Sequence, residues 1–170
     1  MKSLADDVRR LLARDLETFA REVELFPDDQ ALWRTLPGVA NSAGALARHL
    51  CGNLKHYVGH VLGGSDYLRN RDAEFAAADG ARSAVARELR ETIVVVAEAL
   101  PRVPESVLAA PFPELVGGVE IPCERFLVHL CTHLALHLGQ AGYLRRVLTG
   151  DARSTGPVPV KMLAAGNVRG

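Results

Sequence analysis

Apolar residues recur at steps of three and four in four separate stretches of the 170-residue chain, the period of a helix with one buried face. The first stretch runs from Ser3, a candidate cap with Asp6 three residues on, through Leu4, Val8, Leu11, Leu12, Leu16, Phe19 and Val23 to Phe26. Pro27, Asp28 and Asp29 stop or restart it. The second follows the turn signal Pro37-Gly38, is capped by Asn41 or Ser42, and ends at Gly63-Gly64. The third starts near Ala81 or Ser83 and carries Val85, Leu89, Ile93, Val96 and Leu100 until Pro101 closes it. Its Ile-Val-Val-Val run favours a strand in isolation, but the helical period around it decides for helix. The fourth begins at Pro122, which suits a first helical turn, and runs unbroken to Thr149 with Gly150 as its stop.

The segments between these periods read as loops. QALWRTLPGVANSAG holds the single tryptophan, Trp33, expected to plug one end of the helical assembly. SDYLRNRDAEFAAADG is polar and bounded by breakers, so it reads as the crossing from the second helix to the third. PRVPESVLAAPFPELVGGVEIP contains five of the nine prolines and cannot be helical throughout. A connection of that length is uncommon unless it is functional or packed down. Four amphipathic helices without strand alternation or an internal repeat predict an all-α four-helix bundle over residues 1–150, with long loops between helices 1-2, 2-3 and 3-4. Residues 151–170 lack a period and are expected to form an irregular tail.

Charge changes the picture mainly by exclusion. Lys plus Arg and Asp plus Glu each total 20, and no segment gathers a run of like charges, so a nucleic-acid partner is not expected. There is no apolar run of membrane-spanning length and no secretory h-region at the N-terminus, which predicts a soluble cytoplasmic protein. The three cysteines, Cys51, Cys123 and Cys131, are an odd number without CxxC spacing and are expected as reduced thiols.

The chemistry lies in the histidines. His129, His133 and His137 follow one another at steps of four in the fourth helix, each advancing only roughly 40° around the axis and about 6 Å along it. Neighbouring imidazoles at this spacing can share one ligand. The same spacing serves zinc proteases, but Leu134 follows His133 where their general-base Glu would stand. The second helix carries His49, His56 and His60 on one stripe, with His49 and His56 about 10.5 Å apart along the axis, too far for one metal to take both. Either His49 or the His56/His60 pair can meet the fourth helix. Interior histidines need hydrogen-bond partners for both ring nitrogens, and a cluster of them without carboxylates between would repel when protonated; a bound cation resolves both problems. Histidine-only ligation favours Zn, Ni, Cu or Fe, and three neutral imidazoles leave an open position suited to catalysis. Cys51 and Cys131 stand two residues from His49 and His133 and face away. Asn53 and Gln140 lie near the stripes as candidate supporting or substrate-contacting groups.

These residues resemble the DinB-like (YfiT-related) superfamily of metal-dependent four-helix bundles along nearly the whole chain. The pattern is a His early in helix 2 and an HxxxHxGQ element in helix 4, matched here by His49 and by His133, His137, Gly139 and Gln140. NRDAEF, residues 70–75, also resembles one branch of the superfamily. The resemblance selects His49 over His56 and His60 and implies a metal triad of His49, His133 and His137, with a divalent transition metal, Zn or Ni foremost. It further implies a small-molecule substrate, a homodimer, and chemistry with a low-molecular-weight thiol, as in thiol-dependent S-transferases and a mycothiol-dependent isomerase. A hydrolase using metal-bound water is a variant of that expectation, and the alternative is a non-catalytic metal-binding or dimerisation bundle. His129, His56, Gln140 and Asn53 are the catalytic candidates. His129 is expected outside the metal's ligands, because His129 and His137 are separated by about 12 Å of helix rise.

Overall fold

The computed structural model describes residues 4–76, 78–155 and 163. Four long helices carry it: α1 (Leu4–Glu24), α3 (Ala43–Leu54), α5 (Arg82–Ala99) and α7 (Cys123–Thr149), with short helices α2 (Asp29–Leu32), α4 (Arg71–Ala76) and α6 (Glu105–Leu108) in the connections. The described residues contain no strand beyond two isolated bridges within the α6–α7 connection. The all-α bundle expected from the periodicity is the fold. Ser3 and most of the expected tail lie outside the described residues.

Each long helix buries the face its period marks. Leu12, Leu16, Phe19 and Val23 of α1, Leu50 and Leu54 of α3, Leu89 and Val96 of α5, and Phe126, Leu127, Leu130 and Leu134 of α7 are fully or almost fully enclosed. Burial of each such large side chain contributes about 1.5–3 kcal/mol. α1 and α3 each pack against both α5 and α7, so α1 faces α3 across the bundle diagonal. A buried ion pair, Arg145 Nε donating to Glu22 Oε1 at 2.5 Å, ties α7 to α1. Gly150 ends α7 in the left-handed region at φ 67°, where a side chain would be strained.

Cross-helix contacts give the directions. Lys55 pairs with Glu88 at 3.0 Å and Gly59 meets Val95, so α3 and α5 run parallel. His49 meets His133 whereas Tyr57 meets Phe126, so α3 and α7 run antiparallel. Parallel neighbours cannot be joined by a tight turn. The chain must therefore travel back along the bundle between them, which is the physical reason for the long segment after residue 62. The sequence reads that segment as a plain crossing, and the structure corrects this: it contains α4, laid against α3.

A second correction concerns the second histidine stripe. The helix is α-helical only to Leu54; Lys55–Leu62 winds as a π-helix, whose bonds reach five residues back rather than four. The angular bookkeeping that put His56 and His60 on the His49 stripe fails there, since each residue advances less around the wider turn. The proline-rich connection is packed down, with Phe112 buried against Tyr57 and Phe126.

Candidate metal centre

α3 and α7 bring His49, His133 and His137 together. His133 Nε2 lies 3.4 Å from His49 Nε2 and 2.9 Å from His137 Nε2. One ring nitrogen from each of the three residues lies within 4.8 Å of the others, the one such group of metal-binding side chains among the described residues. His49 is buried, while His133 and His137 are half-buried.

Two of the rings are fixed from behind. His49 Nδ1 donates to Glu74 Oε2 at 3.0 Å, and His137 Nδ1 donates to Gln140 Oε1 at 2.7 Å. These bonds assign the Nδ1–H tautomer to both rings and leave both Nε2 atoms as lone pairs aimed at His133. The single proton of a neutral His133 can serve only one of them. Three converging nitrogens with too few protons fit a cation: bonds of about 2.0–2.1 Å in tetrahedral geometry set ligand nitrogens about 3.3 Å apart, close to the two separations from His133 Nε2.

The electrostatics keep the nitrogens free. Burial pushes the His133 imidazole down to about 4, and the neighbouring His137, His49 and His129 push the same way. Burial also lowers His49, against the upward pull of Glu74. Both rings are neutral at pH 7, the state a metal ligand needs. Behind His49, Arg69 grips Glu74 with two bonds, Nε to Oε1 at 2.8 Å and Nη2 to Oε2 at 2.9 Å. Burial alone would raise the Glu74 carboxyl, but the hydrogen bonds from Arg69 and His49 outweigh it and hold the group below its ordinary range. Glu74 fits only because Gly52 lacks a side chain: a Cβ there would sit 2.0 Å from Glu74 Oε1.

Sequence reasoning missed Glu74 and Arg69. The usable signal was the NRDAEF segment, singled out for its resemblance without a role for its acid. Of the residues named as candidates, Gln140 touches the cluster through His137. Asn53 is buried one turn beyond His49, and its Oδ1 has no hydrogen-bond partner among the described residues, as is true of His133 Nδ1. The other three histidines stand apart. His129 is exposed and stacks on His133 with ring centroids 5.6 Å apart. His56 bonds Glu114 Oε1 at 2.9 Å, and His60 bonds the Ser65 carbonyl. Neither reaches the cluster. The cysteines are all free, and burial drives Cys51 up to about 12 and Cys131 up to about 11, where neither is a thiolate at neutral pH. Trp33 covers the start of α3, with Nε1 donating to the Gly80 carbonyl at 2.8 Å and Arg48 over its ring.

A family model described as mycothiol-S-transferase matches residues 7–150, most of the chain and all four long helices apart from the first turn of α1. The chain belongs to that family. The family lies within the DinB/YfiT-like superfamily, so the resemblance carried by His49 and the HxxxHxGQ element is upheld. No curated protein and no solved structure matches the chain. Membership implies thiol S-transferase-like, metal-dependent function, and the three-histidine cluster is the feature of the fold suited to it. No helix among the described residues is long and apolar enough to cross a membrane.

Proposed function

We propose that the protein is a metal-dependent S-transferase that joins a low-molecular-weight thiol, of the mycothiol type named by its family, to an electrophilic small molecule. The observation that carries this reading is the convergence of three imidazole nitrogens, two of the rings locked by acceptors at Nδ1. His49, His133 and His137 would hold a divalent transition metal, Zn or Ni by the softness of the donor set. When bound, such an ion supplies the Lewis acidity that turns a thiol into a thiolate at neutral pH.

The chain's residues prepare that chemistry. Arg69 fixes the Glu74 carboxylate, Glu74 fixes the tautomer and plane of His49, and Gln140 does the same for His137. His129 stays outside the converging set, so a bound ion would keep a position that the thiol sulfur could take. Its exposed ring stacks on His133, and we assign it the uptake of the thiol proton. The sulfur–carbon bond would then form as the acceptor's leaving group departs with its electron pair or, at an activated double bond, as the displaced pair takes up the proton given up by the thiol.

The test is to purify the protein without a nickel column, measure its metal, and follow thioether formation by mass spectrometry from a low-molecular-weight thiol and a small electrophile. About one metal per chain and thioether formation that is lost in His133→Ala are expected. A metal-free protein that forms no thioether after loading with Zn or Ni would overturn the proposal.

A further inference from the structure

A cavity at the start of α3 is separate from the histidine cluster but shares a wall with it. It has a volume of about 470 Å³ and is bounded by the Pro37-Gly38 turn region, the first turns of α3 and the last turns of α7. Leu36, Val39, Leu46, Tyr143, Leu144 and Val147 supply its apolar surface. Its polar side chains besides the Tyr143 hydroxyl are the amides of Asn41 and Gln140, and none of its lining residues is charged. In a chain in which 24% of residues are charged, a surface cavity without one selects against ionic occupants. Val39, Tyr143 and Val147 are 40%, 72% and 66% exposed, so the rim leaves large apolar side chains in water.

Gln140 connects this cavity to the cluster. The same side chain that lines the cavity accepts from His137 Nδ1 at 2.7 Å. On α3, Leu46 of the cavity precedes His49 by three residues, and on α7 Gln140 follows His137 by three. The cavity is thus displaced from the cluster by about 4.5 Å of helix rise along each helix. A volume of this size accommodates a small organic molecule.

We infer that this cavity is the acceptor subsite, binding the uncharged apolar or aromatic body of the electrophile with a hydrogen-bonding group directed to the amides of Gln140 or Asn41. The identity of the occupant rests on the S-transfer reading, whereas the binding itself does not. It predicts that the enzyme favours neutral aromatic or alkyl electrophiles over charged ones, with the reacting carbon extending from the cavity toward the histidines.

The test uses the metal-loaded full-length protein and prodan, a neutral naphthyl ketone whose fluorescence reports transfer to an apolar site. Val147→Arg and Val39→Arg place a charge at the exposed rim, where the fold tolerates it. Each should weaken prodan binding by about ten-fold or more and raise the KM for a neutral aromatic electrophile, leaving metal content and the KM for the thiol unchanged. Leu115→Arg, an equally exposed apolar position in the α6–α7 connection, should leave prodan affinity unchanged. Unchanged affinity in both rim variants, or an equal loss in Leu115→Arg, would overturn the inference. So would rim variants that split a dimer in light scattering while prodan still binds, because the face would then belong to a second copy of the chain. Since probe binding is read without turnover, a protein that takes prodan through this cavity but transfers no thiol upholds the cavity as a binding site for neutral apolar molecules and refutes the S-transfer reading, and with it the acceptor role.

Discussion

His49, His133 and His137 differ from His56, His60 and His129 in nothing that a residue count can see, yet the two sets end in different chemistry. The first three aim their Nε2 atoms at one another. The second set is spent elsewhere, on the Glu114 carboxylate, on the Ser65 carbonyl and on stacking at the exposed edge of α7. Two physical causes separate them. The change of pitch at Lys55 turns His56 and His60 off the line of His49. Helix rise carries His129 too far from His137 for both to reach one point. A histidine stripe is therefore a set of possible ligands, and helix pitch and rise decide which of them can converge on one point.

The contrast is broken most directly by removing rings from each set. His133→Ala, His137→Ala and His49→Ala should each lose most of the bound metal, while His56→Ala, His60→Ala and His129→Ala keep about one metal per chain, as elemental analysis of protein purified without a nickel column will read. Comparable loss from His129→Ala would erase the distinction and close the position assigned to the thiol.

A smaller effect tests the groups behind the rings. Glu74→Ala should weaken metal binding by about 10–100-fold, the usual effect of removing a partner that orients a ligand. Gly52→Ala should act in the same direction without touching a polar group, because its methyl would occupy the space of the Glu74 carboxylate. Competition against a chelating dye measures both. Full affinity in Gly52→Ala would show that Glu74 does not need its present position.

The smallest effect is in pH dependence, and it belongs to the metal-free protein. The His133 imidazole is held at about 4 in the fold, against an ordinary 6.5. Between those values the unfolded chain binds more protons than the folded one, so stability is full above about 6.5 and declines as the pH falls toward about 4. Urea midpoints should drop across that window, and His133→Gln should flatten the slope. A midpoint independent of pH there would mean that His133 is not desolvated.

The periodicity of the chain was enough for the four long helices, with α1, α5 and α7 ending within a residue or two of the expected caps. HxxxHxGQ was visible because both its histidines and its glutamine lie within two turns of one regular helix, where spacing is geometry. Glu74 and Arg69 were not legible, since nothing in their local sequence ties them to His49, 25 residues away from Glu74. Their placement follows from the parallel run of α3 and α5, which obliges the connection to return along α3 and lets α4 dock at Gly52.

Local spacing was enough for the helical faces and for the pair of α7 histidines that share a side, because each depends on neighbours a few residues apart. The tertiary structure decided which α3 histidine completes the cluster, which buried carboxylate holds it, and that Gln140 stands between the cluster and an uncharged cavity. Those choices depend on where helices cross and where one of them changes pitch, and they are set by packing between segments distant in the chain rather than by any local pattern.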